Sequence, residues 1–289
     1  MLTILLLTLA VLSAAMLLLA FGSWRWRRAT EALCAKLDAT RVPPSPHRYV
    51  AQELECLPAP VQRYFRASLR EGQPMVAAVK IEHAGRINMS ENGEHWRPFF
   101  SIQRVTAGPP GFVWNGRVAL LPGLQVRVHD AYVAGKGILH ASLFGLVTLA
   151  GLRGAPEVAH AELMRFLAEA AWYPTALLPS QGVEWQPVDD TSAKATLSDH
   201  DVTVTLLIRF DERGLIASAR ADARGRTVAG SLVPTPWEAY CRDYAVRDGM
   251  LVPLEGEVAW LLPEGPKPYW RGRIASLAYD FVRPGDPGR

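Results

Sequence analysis

Gln125-Val126-Arg127-Val128-His129-Asp130-Ala131-Tyr132 alternates in character along its length. Val126, Val128 and Tyr132 share one face with Asp130, while Gln125, Arg127 and His129 share the other. A period of two predicts a half-buried antiparallel strand. It also sends the neighbours His129 and Asp130 to opposite faces.

Similar runs extend outward in both directions. Upstream lie Val76 to Ile81, Arg97 to Val105 and Gly111 to Trp114, punctuated by Pro109-Pro110-Gly111 and Leu121-Pro122-Gly123. Downstream lie Val183 to Trp185, Ala193 to Ser198, Val202 to Phe210, Leu215 to Arg224, Trp237 to Val246, Leu251 to Leu262 and Tyr269 to Phe281. Turn chemistry at Asp211-Glu212-Arg213-Gly214, Asp248-Gly249 and Glu264-Gly265-Pro266 separates them. The count comes to about eleven strands. After residue 75 a single helix is readable, Pro156 to Trp172. Parallel strands need long helical crossovers. The expected fold class is therefore α+β: an N-terminal transmembrane helix, then a mostly antiparallel, strongly curved sheet resembling a half-barrel, with a few packed helices.

The first 22 residues, Met1 to Gly22, carry no charged side chain and are followed by Trp24-Arg25-Trp26-Arg27-Arg28. About 20 apolar residues suffice to cross a hydrocarbon core of about 30 Å. No Lys or Arg precedes the run, and it is longer than the core of a cleaved signal peptide. It reads as an uncleaved anchor over residues 1–23, with the lipid bilayer as the partner. Trp24 and Trp26 suit the interfacial belt, and Arg25, Arg27 and Arg28 the cytoplasmic side. The expected location is a single-pass inner-membrane protein with its main domain in the cytoplasm; an exported domain is the alternative. Residues 24–48 read as a basic juxtamembrane helix and a stiff linker, Val42-Pro43-Pro44-Ser45-Pro46. Residues 49–289 make the sheet domain, opening with two short helices split at Leu57-Pro58-Ala59-Pro60.

Formal net charge is +3, but residues 1–50 hold six Lys/Arg against Glu31 and Asp38, so the remainder sums to −1. The basic excess sits where anionic lipid would meet it. The body has no clustered basic footprint for nucleic acid. Cys34, Cys56 and Cys241 form neither a disulfide framework nor a metal pair. The seven histidines show no H-E-x-x-H spacing, and neither a G-x-S-x-G elbow nor a phosphate loop is present. No metal or cofactor is expected.

Glu162 and Glu169 lie seven apart on the helix, either as paired acids or as a solvated face opposite Leu163, Phe166 and Leu167. Glu169 adjoins Trp172 and Tyr173, where burial would raise its pKa. With Tyr173, His129, Asp130 and Arg271 it completes the set of residues an enzyme would draw on. The ligand-binding candidates are Trp172, Tyr173, Trp260, Tyr269 and Trp270, whose aromatic bodies and polar tips suit a cavity rim.

Two stretches carry a resemblance: Arg165-Phe166-Leu167-Ala168-Glu169-Ala170-Ala171-Trp172-Tyr173-Pro174-Thr175-Ala176-Leu177-Leu178-Pro179, and Gly256-Glu257-Val258-Ala259-Trp260-Leu261-Leu262-Pro263-Glu264-Gly265-Pro266 with Tyr269-Trp270-Arg271. Together they resemble a bacterial domain-of-unknown-function family that often bears an N-terminal membrane segment. The likeness covers most of the chain after about residue 55 and implies no activity. More loosely, Asp248-Gly249-Met250-Leu251-Val252-Pro253 and the closing Tyr279-Asp280-Phe281 resemble the end of lipoprotein carriers of the LolA/LolB type. That resemblance implies a half-barrel around helices and a metal-free apolar cavity for acyl chains. Those carriers work outside the inner membrane, whereas the arginines here favour the inside. The expected function is binding of a lipid or other apolar ligand in the concavity of the sheet. The alternatives are an enzyme on a membrane-associated substrate and a membrane-tethered interaction scaffold.

Overall fold

The computed structural model describes residues 1–90, 93–228 and 231–282. One sheet dominates it, with thirteen strands among the described residues. Two antiparallel meanders make its wings. The first holds β1 (Val76–Asn88), β2 (Trp96–Thr106), β3 (Gly111–Leu121), β4 (Leu124–Val133), β5 (Lys136–Leu143) and β6 (Val147–Arg153). The second holds β7 (Val183–Asp189), β8 (Ser192–Asp199), β9 (Val202–Phe210), β10 (Ile216–Val228), β11 (Ser231–Arg247), β12 (Met250–Leu262) and β13 (Gly265–Phe281). They join where β1 pairs antiparallel with β13, from Val76 opposite Phe281 to Ile87 opposite Trp270. The free edges are β6 and β7, so the sheet does not close.

Alternation builds these strands as expected. In β9, Val204, Leu206, Ile208 and Phe210 are buried while Thr203 and Thr205 face outward. There Thr196–Thr205 and Ser198–Thr203 hydroxyl pairs bridge β8 and β9. The eleven expected strands become thirteen through β5 and β6. β6 is the reason its run was unreadable: it is uncharged up to Arg153, interrupted by Gly151, and exposed at almost every position. An edge strand without a buried face shows no alternation.

The helix α1 (Leu2–Ala39) is one continuous element of 38 residues. At 1.5 Å per residue it is about 57 Å long, well beyond a bilayer core. Its first part is long and apolar enough to cross a membrane, and its most apolar stretch buries no residue. Its second part packs on the outer face of β2, β3 and β4. Leu37 there joins Val113, Ala131 and Val133, with Leu33, Cys34 and Ile138 around them. Residues 24–39 are thus docked helix, and the proline-rich segment follows the dock.

The helix α2 (Ala59–Ser68) sets Val61, Tyr64 and Phe65 against β8 and β12. The helix α3 (Pro156–Glu169) links the two wings and lies across the inner face, against β5, β9 and β10. The sheet curls around it until the two wings touch. The Tyr132 hydroxyl donates to Asp199 across 2.8 Å, and Gly135 lies against the His200 ring.

Candidate functional site

Aromatic side chains of β3, β11 and β13 form the floor of the concavity. Gly116 and Gly272 leave room for the Trp114 and Trp270 indoles to lie flat: a Cβ at either would come within 2.1 and 2.4 Å of those rings. Phe99 packs between them, 6.0 Å from Trp114 and 5.6 Å from Trp270, centroid to centroid. The Trp237 indole N–H donates to the Tyr269 hydroxyl at 2.9 Å. With Trp172 from the turn after α3, these rings and Ile87, Val128, Leu139 and Val258 enclose a cavity of about 200 Å³.

One end of that cavity is polar. Arg165 of α3 reaches Asp130 of β4 at 2.6 Å and Glu169, one helical turn on, at 2.6 Å. Gln103 of β2 accepts from Arg165 at 3.3 Å and donates to Glu169 at 2.6 Å. The guanidinium also lies 4.9 Å over Phe112 and 5.4 Å over Trp114. Burial alone would lower the Arg165 pKa, but the carboxylates of Glu169, Asp130 and Glu162 overcome this and raise it. Arg224 of β10 lies 4.8 Å over Trp237 and 3.6 Å from Glu162. That long contact does not offset burial and the Asp130 charge, which together push the Glu162 carboxyl well above the carboxylate range. Glu162 Oε2 and Asp130 Oδ1 are buried without a hydrogen-bond partner.

The sequence-derived residues fall in different places. Trp172, Tyr269, Trp270, Asp130 and Glu169 line the cavity. Trp260 stands beside it, stacked on Tyr269 at 5.4 Å. Tyr173 is fully buried, with its hydroxyl donating to the Phe166 carbonyl at 3.0 Å. His129 faces outward, stacked under Trp26 at 3.9 Å, with Thr30 Oγ1 2.7 Å from its Nε2. Arg271 is half-exposed, bonded to Glu257 at 2.6 Å and lying over Trp96. The enzyme set is therefore dispersed, except that Asp130 and Glu169 meet through Arg165. Glu162 and Glu169 do not form a solvated face, because α3 is enclosed by the sheet. Of the residues next to the apolar helix, Trp24, Arg25, Arg27 and Arg28 are exposed and Trp26 is buried, its indole N–H donating to Asn115 at 3.0 Å.

Sequence reasoning missed Arg165, Gln103 and Arg224; Trp114 and Trp237 stood among the tryptophans that could line a pocket but were not singled out. A signal existed for Arg165. Asp130 shares the apolar face of β4, and an acid on an inward face demands a buried cation.

These features define an open antiparallel half-barrel with an internal helix and an aromatic cavity, preceded by a long apolar helix. The chain belongs to a family of unknown function, DUF6920, whose model matches residues 55–279. The match takes in the whole described sheet except the end of β13 and leaves out α1. No curated protein matches the chain. Among solved structures, a LolA superfamily protein from Nitrosomonas europaea is similar over 81% of this chain and 96% of that one, at 10% identity and a TM-score of 0.33. A beta-barrel-like protein of the domain of unknown function DUF1849, from Brucella abortus, is similar over 71% of this chain and 99% of that one, at 14% identity and a TM-score of 0.20. Neither likeness supplies a ligand or an activity for this chain.

Proposed function

We propose that this protein is anchored in a membrane by the apolar part of α1 and binds a lipid or another apolar ligand in the cavity of the curved sheet. The observation that carries the reading is the cavity wall itself: Trp114, Trp172, Trp237, Tyr269 and Trp270 with aliphatic neighbours, in a concavity beside α3. Concave, mostly apolar sites with a few placed polar groups are where small ligands bind. The two carboxylates that meet there, Asp130 and Glu169, are engaged by Arg165, which suits a structural and orienting role better than acid–base chemistry. Arg25, Arg27 and Arg28 favour a cytoplasmic main domain.

Filling the cavity tests the reading. Ala239 lines it, and Ala239→Trp would occupy space that a ligand needs. The full-length parent, purified in detergent and exchanged into nanodiscs, is expected to bind a fluorescent acyl-chain probe with saturation. The variant, checked for native circular dichroism, is expected to lose most of that signal. Equal binding by both, or none by the parent, would remove the proposal.

A further inference from the structure

The boundary between the apolar and basic parts of α1 is pressed against the turn between β5 and β6. Gly22 meets the Phe144 carbonyl and the Leu146 side chain, and Arg25 donates to the carbonyls of Gly145 and Leu146, each at 2.9 Å. Residues 143–152, which span this β5–β6 turn and most of β6, are Leu-Phe-Gly-Leu-Val-Thr-Leu-Ala-Gly-Leu, without a charge. Val147 and Leu149 there are 58% and 54% exposed. Next to it the β3–β4 turn, Leu120-Leu121-Pro122-Gly123-Leu124, is also uncharged, with Leu121 60% exposed. It extends in the same direction. Going from Gly111 to Asn115 along β3 moves from Leu37 to Trp26 on α1, so the strand continues toward the apolar end of the helix.

Behind the β3–β4 turn lies a cluster of arginines. Arg117 and Arg127 are directly opposed across β3 and β4, an arrangement that like charges make unfavourable. Arg127 donates to Ser23 of α1 at 2.8 Å, while its Nε is buried without a partner. Burial, then Arg117 and Arg27, lower the Arg127 pKa. Among the described residues, none of Arg27, Arg117 and Arg127 makes an ion pair.

We infer that the β3–β4 and β5–β6 turns are a second membrane contact: their leucines and valine enter the bilayer beside α1, and Arg27, Arg117 and Arg127 hold the phosphate of an anionic phospholipid. The inference rests on α1 being embedded. Continuity of the apolar turns with the apolar helix selects a bilayer as occupant, and the uncompensated guanidinium cluster selects a negatively charged headgroup. Polybasic surfaces gain affinity from anionic leaflets in this way.

Photocrosslinking of the full chain in liposomes tests it. A benzophenone amino acid is placed in turn at positions 12, 121, 149 and 188; Leu12 lies within the anchor, and Val188 is exposed on β7 at the opposite edge. Phospholipid adducts, read by intact mass, are expected at 12, 121 and 149 and not at 188. They are expected to be more abundant at 121 in phosphatidylglycerol-containing vesicles than in phosphatidylcholine alone, a preference that Arg117→Gln should abolish. Adducts at 12 without adducts at 121 and 149 would overturn the inference and leave the anchor standing. No adduct at any position would overturn both. Adducts at 121 that ignore lipid charge would overturn the phosphate seat.

Discussion

Arg165 organises the cavity because every group around it is there to balance one guanidinium. It joins β2, β4 and α3 through Gln103, Asp130 and Glu169. Removing one partner of such a buried network is costly, on the order of 3–5 kcal/mol. Glu162 is the exception, since it is buried beside the Asp130 carboxylate and its ion pair, to Arg224, is long. Its raised pKa makes it stabilising below its unfolded value of 4.5, and that contribution is lost as pH rises through the folded value. Glu162→Gln keeps the neutral shape at every pH. The variant is expected to melt higher than the parent at pH 7 to 8, with the gap closing at low pH; a lower melting temperature across that range would refute the assignment. The facing of Asp130 was legible from strand parity alone. Arg165 was not, because an arginine on an amphipathic helix reads as solvent-exposed until the sheet that covers it is known.

Among the elements, α1 departs most from its sequence description. Its helical continuity past Arg28 was readable. Its dock was not, because the partners of Trp26 come from Asn115 and His129, about ninety to one hundred residues away. Gly145 makes the dock close: its φ is +75°, and a Cβ there would stand 2.5 Å from the Gly22 carbonyl. Gly145→Val is expected to separate the helix from β3–β5, at a cost of about 1–3 kcal/mol from backbone strain alone. Amide hydrogen exchange of the full chain checks this. Protection around Arg127 and His129 should fall in the variant while that of β9 holds, and unchanged protection at both would contradict the close-packing argument. β5 and β6 escaped the strand count for a different reason: β5 is half-buried at most positions and the edge strand β6 is exposed at nearly all of them, so neither has the one-sided burial that alternation reports.

For the molecule as a whole, two buried histidines on opposite faces of the sheet set its acid sensitivity. His83 sits on the inner face, 4.9 Å from Trp172, and burial takes its pKa from 6.5 to about 3, with Arg165 adding to the effect. His129 sits on the outer face, where burial, then His140 and Arg153, also lower its pKa to about 3. Both stay neutral in the fold while the unfolded chain binds protons below pH 6.5, so stability falls as pH drops from 6.5 toward 3. Each histidine contributes a slope of about 1.4 kcal/mol per pH unit in that window. Denaturation midpoints measured across it should decline more gently for His83→Gln and His129→Gln than for the parent; parallel curves would show that neither group carries the linkage. At this scale the short turns made antiparallel order legible. The join of β1 to β13 was not, because it pairs residues nearly two hundred positions apart and has no local signature.

That join governs how the chain must come together during synthesis. All strands of the first wing, and the helix that docks on them, emerge before any of the second, so an early half-structure can form on its own. Its β1 border then stays open until β13, later in the sequence than every other strand, is delivered. Exposed borders of this length invite pairing with other chains, and non-local closure is slow. The interval between translation of the two wings is therefore when neighbouring nascent copies are most exposed to pairing with one another in place of their own final strand.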